Sequence, residues 1–135
     1  MIKKINHIAI VVPNMEEANH FWVDTLGLKL ESVKQVKEEG VEVAFLPVGD
    51  SEIELLRPTD AESGVAKYLE KRGSGMHHIC FEVEDIAAML EKLRNNNVSL
   101  ITENVLVNEN GTRYAFIHPK GANGVLVELY ELPLA

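Results

Sequence analysis

Two histidines and two glutamates lie at matching places in the two halves of this sequence. His7 stands in INHIAIVV and His78 in MHHICFEV, an offset of 71 residues (78 − 7). Glu54 stands in IELL and Glu128 in VELY, two apolar runs typical of strands. A carboxylate inside a buried strand is costly unless it is paired or binds a metal, although a single Glu can instead face solvent. The repetition in both halves favours a shared chemical role.

Together these four side chains form a mixed set of nitrogen and oxygen ligands. Such a set suits Co²⁺, Mn²⁺, Fe²⁺, Ni²⁺ or Zn²⁺ better than Ca²⁺, and the absence of cysteine from it argues against a structural zinc site. A six-coordinate ion with four protein ligands keeps two positions for water or substrate oxygens. Because side chains alternate along strands, the four ligands can converge if they share the concave face of a curved sheet.

The elements that would position these ligands repeat with the same offset. Asn14 and Asp85 are predicted N-caps, and the apolar spacing after them predicts helices over about 15–26 and 86–96. Three strand-like runs separated by turn signals follow each helix. The predicted strands cover 28–36, 41–48 and 52–58 in the first half and 98–102, 112–119 and 124–131 in the second.

The segment between the halves, DAESGVAKYLEKRGSG, predicts a linking helix over about 61–72. The order of elements is then βαβββ, linker helix, βαβββ, which is an α+β class with two tandem modules. The chain of 135 residues is expected to be a single domain. Module 1 covers about 1–58, the linker about 59–75 and module 2 about 76–135.

Composition limits the partners and the compartment. The net charge of −8 and the absence of a basic face argue against nucleic acid. No apolar run is long enough to cross a membrane, and the N-terminus shows no signal-peptide core. The single cysteine, Cys80, cannot form an internal disulfide, which indicates a reducing compartment. We therefore expect a cytoplasmic protein without membrane or nucleic-acid partners.

The sequence resembles the vicinal oxygen chelate superfamily, also called the glyoxalase/bleomycin-resistance/dioxygenase superfamily, over essentially the whole chain. GMHHICFEVEDI and HPKGANGVLVEL carry the resemblance most specifically, and with VAKYLEKRG they are most similar to the methylmalonyl-CoA epimerase family. The resemblance implies paired βαβββ modules that form a U-shaped mixed sheet around a divalent metal. The implied ligands are His7, Glu54, His78 and Glu128. Some epimerases carry Gln at the position of Glu54, where this chain has the two-His, two-Glu set of glyoxalase I.

The activity implied by the resemblance is interconversion of (2R)- and (2S)-methylmalonyl-CoA through loss of the C2 proton. The implied metal is first of all Co²⁺, with Mn²⁺, Ni²⁺, Zn²⁺ or Mg²⁺ as alternatives, and it would act as a Lewis acid where negative charge develops. The resemblance places the catalytic base at Glu42, and burial among valines is expected to raise its pKa. The second proton carrier is Glu128, another side chain or a metal-bound water.

For the CoA end of the substrate, the sequence offers Lys120 and Arg113 as phosphate contacts. His77 is interpreted as a packing or surface group, and His20 and His118 are interpreted as structural groups. Cys80 is interpreted as a small buried strand residue. Homodimers are common in the superfamily, so we expect a homodimer of this chain.

Three other functions within the same fold remain open at the level of sequence. A glyoxalase I-type lactoylglutathione lyase would use the same four ligands. A non-haem iron dioxygenase would need an open site with two His and one carboxylate, which the fourth ligand disfavours. A metal-free module that sequesters small molecules predicts apolar residues at the ligand positions, where this chain has His, Glu, His and Glu.

Overall fold

The computed structural model describes residues 1–134, and that part of the chain contains eight strands and three α-helices in the predicted order. It divides into two compact units. The first unit is His7–His77, and the second unit is Met1–Asn6 together with the chain from His78 onward. The strands are β1 Ile2–Val11, β2 Ser32–Val36, β3 Val41–Val48, β4 Ser51–Pro58, β5 Gly75–Val83, β6 Leu106–Val107, β7 Arg113–Ile117 and β8 Val127–Glu131. The helices are α1 Met15–Asn19, α2 Gly64–Arg72 and α3 Ile86–Asn95.

The strands of the first unit pair in the order β2-β3-β4-β1, and only the β1–β4 pair is parallel among these described strands. One face of this sheet is covered by α1 and by the π-helical turn His20–Thr25 that continues it. Ala44, Leu46 and Leu55 are fully buried on this face. Met15, Ala18 and Trp22 pack against the cluster that these three form with Val12. Three residues of the predicted apolar face therefore pack on the sheet, whereas the fourth, Leu26, is 54% exposed. We call this side of the sheet the helix face.

The other face of the first unit carries His7 and Glu54, and we call it the ligand face. Cross-strand register assigns to it His7, Ala9, Val11, Ser32, Lys34, Val36, Val41, Val43, Phe45, Pro47, Glu52, Glu54, Leu56 and Pro58. Ala9, Val41, Val43 and Leu56 form a buried cluster there. Val65 from α2 packs against this cluster, so the linker helix covers part of the face.

In the second unit the strands pair in the order β5-β8-β7-β6, with β5 and β8 parallel. Ile86 and Leu90 of α3 are buried and pack onto Val83, Ala115 and Leu129. His78, Cys80 and Glu128 occupy the opposite sheet face, because they alternate with the residues that α3 covers. Each unit therefore has one face buried by helix packing and one face that bears a His and a Glu.

Both predicted helix caps are confirmed. The Asn14 side chain accepts a hydrogen bond of 2.9 Å from the backbone N–H of Glu17, and Asp85 accepts one of 3.0 Å from Ala88. The linking helix is also confirmed, although it begins at Gly64 with Ser63 as its cap. No helix in the described residues is long and apolar enough to cross a membrane.

Three strand predictions are wrong in extent or place. The run 28–36 is a strand only from Ser32, and 124–131 only from Val127. The run 98–102 makes only an isolated bridge, at Leu100 opposite Ile117. Two successive backbone N–H groups after that bridge, those of Ile101 and Thr102, donate to the same Phe116 carbonyl, which a regular ladder does not allow. The strand of this half is instead the short β6, outside the predicted run.

Candidate metal centre and active site

In the first unit, His7 and Glu54 form a buried imidazole–carboxylate pair. They lie on the adjacent parallel strands β1 and β4, where Ala9 is the direct partner of Glu54. The distance from His7 Nδ1 to Glu54 Oε2 is 3.3 Å, and the side chains are 1% and 14% exposed. This half therefore brings together the two residues that the sequence predicted as ligands.

The second unit holds the equivalent pair, His78 and Glu128, on the adjacent parallel strands β5 and β8. His78 Nε2 lies 3.1 Å from Glu128 Oε1, and the side chains are 10% and 8% exposed. Cys80 is the direct cross-strand partner of Glu128, and its Sγ lies within 4.8 Å of a Glu128 carboxylate oxygen. Cys80 is fully buried, as the sequence predicted, but it is also a possible third donor atom in this half.

The chemistry of each pair fits a divalent transition metal. A buried carboxylate and imidazole need a partner for their polar atoms, and each here has the other within about hydrogen-bond distance. When both are deprotonated, each pair offers one nitrogen and one oxygen donor, the ligand types that Co²⁺, Mn²⁺, Ni²⁺ and Zn²⁺ accept. The donor set therefore fits the predicted metal in both units.

A phenylalanine flanks the glutamate of each pair, which sequence reasoning missed. Phe45 is the cross-strand partner of Glu54, and Phe116 is the partner of Glu128. The Phe116 ring also meets the His78 ring edge to face, with centroids 6.1 Å apart. The two phenylalanines are 71 residues apart (116 − 45), the offset of the histidines, so the repeat contained the signal. Each glutamate of a pair therefore has an aromatic residue as its neighbour on the next strand.

Two expectations for Glu42 are wrong: its side chain does not lie on the same face as His7 and Glu54, and its pKa is lowered rather than raised. Register places Glu42 on the helix face of the first unit, whereas His7 and Glu54 lie on the ligand face. Its carboxylate accepts hydrogen bonds from Arg57 Nε at 2.9 Å and from Gln35 Nε2 at 2.7 Å. The hydrogen bond from Arg57 is the main cause that holds the pKa of Glu42 below its ordinary value, and it outweighs the opposing effect of burial. This geometry is that of a structural ion pair.

The second unit repeats this ion pair with the charges exchanged. Arg113 and Glu131 are cross-strand partners in β7 and β8, as Glu42 and Arg57 are in β3 and β4. Arg113 Nη1 lies 3.2 Å from Glu131 Oε2. Glu131 also accepts a hydrogen bond of 2.8 Å from the backbone N–H of Ile86 at the start of α3. Arg113 is thus held on the helix-covered side of its sheet, which argues against its predicted contact with a CoA phosphate.

Lys120 lies in a short 3₁₀ turn, Pro119–Gly121, that follows β7. Its side chain is exposed, and its backbone N–H donates to His118 Nδ1 at 2.9 Å. His118 therefore caps the turn, as expected for a structural histidine. His77 packs edge to face on Tyr68, with centroids 5.1 Å apart, and His20 lies 3.5 Å from Asp24 on the surface.

The family model described as the Glyoxalase/Bleomycin resistance protein/Dioxygenase superfamily matches residues 6–116. This range includes both histidines, Glu54 and both flanking phenylalanines. The chain therefore belongs to this superfamily, the class of protein that its fold and paired sites indicate.

Three similar proteins narrow the family. The human mitochondrial methylmalonyl-CoA epimerase is 39% identical over 93% of this chain and 72% of its own length. An ethylmalonyl-CoA/methylmalonyl-CoA epimerase of Cereibacter sphaeroides is 37% identical over 98% of this chain and all of its own length. A solved methylmalonyl-CoA epimerase in complex with methylmalonyl-CoA and NH4⁺ is 32% identical, with a TM-score of 0.86 over 98% of this chain and 96% of that one. Within the superfamily, this chain belongs to the methylmalonyl-CoA epimerase family, and its predicted glyoxalase-like fold is confirmed.

Proposed function

We propose that this protein is a divalent-metal-dependent epimerase that interconverts (2R)- and (2S)-methylmalonyl-CoA. The observation that carries the proposal is the buried His–Glu pair on the equivalent strands of each unit. Similar proteins along the whole chain are epimerases of this substrate. A metal-free binding module has no need for two costly buried pairs of this kind.

The ligands we propose are His7, Glu54, His78 and Glu128, all bound to one divalent ion. The ion is expected to be Co²⁺ first, with Mn²⁺, Ni²⁺, Zn²⁺ or Mg²⁺ as alternatives. When bound, it supplies a Lewis acid that polarises the thioester carbonyl and balances the anionic substrate in an acidic protein. The four side chains would hold the ion in place, and Phe45 and Phe116 are the cross-strand neighbours of the two carboxylates.

Epimerisation also needs a proton to leave C2 on one face and return on the other. We propose Glu128 as one proton carrier, which would hold the proton on a carboxylate oxygen. Its side chain is 8% exposed and lies beside the His78 imidazole, so its environment is that of a buried, partnered acid. Glu42 is not part of this proposal, because its carboxylate is bound to Arg57 on the helix face.

Incubation with (2R)-methylmalonyl-CoA in D₂O tests this function. We expect deuterium at C2 and a final mixture of both epimers, with no turnover of the glutathione hemithioacetal of methylglyoxal. Formation of lactoylglutathione would instead establish a glyoxalase I, and tight binding of methylmalonyl-CoA without exchange would establish a binding module.

Glu128→Gln is expected to lower the exchange rate by about 10²- to 10⁴-fold, the usual range for loss of a general acid or base. The matched control is Glu131→Gln on the same strand, because Glu131 faces the other side of the sheet and pairs with Arg113. Equal losses in both variants would contradict the role proposed for Glu128.

We further propose that the chain works as a homodimer in the cytoplasm, as expected from the sequence. Sedimentation equilibrium is expected to give twice the chain mass of 15.1 kDa. A single species at the chain mass would contradict the dimer.

A further inference from the structure

Among the described strand residues paired within the first unit, Lys34 is the one Lys or Arg on the ligand face. It lies in the edge strand β2 opposite Val43, and Val43 lies opposite Leu56 in β4. Lys3, at the start of β1, belongs to the second unit, where its Nζ lies 3.5 Å from Glu82 Oε2. The ionisable residues that share the ligand face with Lys34 are His7, Glu52 and Glu54.

The Lys34 side chain is directed over Phe45. Its Nζ lies 5.7 Å from the centroid of that ring, a cation–π distance. Phe45 is in turn the cross-strand partner of Glu54. Two strand spacings separate β2 from β4, so Lys34 is roughly 10 Å across the sheet from Leu56, and Glu54 lies two residues farther along β4. The ammonium group is therefore held over the same face as the His7–Glu54 pair and remains exposed to solvent.

The second unit has no cation at the equivalent position. In β6 the residue opposite Tyr114 is Leu106, just as Lys34 is opposite Val43 in β2. Leu106 is 44% exposed, and the Tyr114 ring meets the Phe116 ring edge to face. The two units are thus alike at the His–Glu pairs but differ farther along the sheet, where one has a cation and the other has apolar and aromatic groups.

We propose that Lys34 is an anion-binding residue of the acyl-CoA site, a role that rests on the proposed function. In a chain of net charge −8, an anionic substrate needs local positive charge outside the metal as well. Lys34 supplies it with a point charge that reaches solvent at the edge of the ligand face. The bound group is a phosphate of CoA or the carboxylate of the malonyl part.

Lys34→Met tests the proposal, because methionine keeps an unbranched side chain over Phe45 and removes the charge. Lys92→Met on α3 is the control, since Lys92 is an exposed lysine on a helix of the second unit. Calorimetric titration of each variant with methylmalonyl-CoA and with methylmalonyl-pantetheine, which lacks the nucleotide phosphates, measures binding without any need for turnover. We expect Lys34→Met to weaken methylmalonyl-CoA binding by about three- to tenfold and Lys34→Arg to restore most of it.

Comparison of methylmalonyl-CoA with methylmalonyl-pantetheine shows which anionic group of the substrate Lys34 binds. Weaker binding of methylmalonyl-CoA alone assigns Lys34 to a phosphate, and equal weakening of both ligands assigns it to the carboxylate. Unchanged binding of both by Lys34→Met, or an equal loss in Lys92→Met, would overturn the proposal. Absence of C2 exchange in the wild-type protein would refute the epimerase function instead, and the binding comparison would still decide the role of Lys34.

Discussion

Glu42 and Glu54 show how register decides the role of a residue. Both are glutamates in apolar strands of the first unit, and both side chains are partly buried. Glu54 faces His7, whereas Glu42 faces Arg57 and Gln35 on the other side of the sheet. A shift of one residue along a strand reverses the face of a side chain, so the sequence pattern alone did not separate these two carboxylates.

Glu42→Gln is expected to lower stability and leave epimerisation within about twofold of wild type. Loss of a partly exposed ion pair costs about 0.5–1 kcal/mol in the free energy of unfolding. Because folding lowers the pKa of Glu42 below its ordinary value of 4.5, its contribution is complete above that pH and is lost as the pH falls through the lowered pKa. Urea unfolding of both proteins from pH 7 to pH 3 is expected to show a difference that shrinks below about pH 4.5.

If Glu42→Gln lowered the rate of deuterium exchange at C2 by 100-fold or more without lowering stability, Glu42 would be a catalytic residue after all. Arg113→Gln is the matched control for the loss of a strand ion pair, because it removes the equivalent pair with Glu131 in the second unit. We expect it to lower stability by a similar amount.

The helices and strands that position the proposed ligands differ in how well their own sequence defines them. Helix caps were predictable, since Asn14 and Asp85 accept local hydrogen bonds that depend on residues only three positions away. The position of the edge strand β6 was not predictable, because it depends on pairing with β7 rather than on the residues of β6 itself. The pairing of Phe45 with Glu54 and of Phe116 with Glu128 depends on cross-strand register. In the sequence, the only sign of it is that the two phenylalanines recur at the offset of the histidines.

Asp85→Ala is expected to destabilise the protein by about 1 kcal/mol, because the first turn of α3 loses its side-chain acceptor. Glu131 still accepts from Ile86, so the helix is expected to persist. Circular dichroism with urea unfolding measures both effects. Glu84→Ala, a change at the exposed residue before the cap, is the control, and an equal loss there would contradict the capping role.

At the scale of the whole molecule, the chain is one sequence pattern used twice. The order β1-α1-β2-β3-β4 recurs as β5-α3-β6-β7-β8, with His–Glu pairs, flanking phenylalanines and strand ion pairs in equivalent places. The repeat made the fold class and the pairing of a His with a Glu in each unit predictable from the sequence. Residues that break the repeat, such as Lys34 in β2 and Leu106 in β6, are the places where the two units differ in charge.

Metal titration of the chelator-treated protein tests the central claim most directly. With Co²⁺ we expect one ion per chain in the wild type and a loss of at least about 100-fold in affinity in both His7→Asn and His78→Asn, since each removes a ligand of one shared ion. His20→Asn, at an exposed histidine, is expected to bind as the wild type does. Two ions per chain, or one ion that survives either ligand change, would contradict the account.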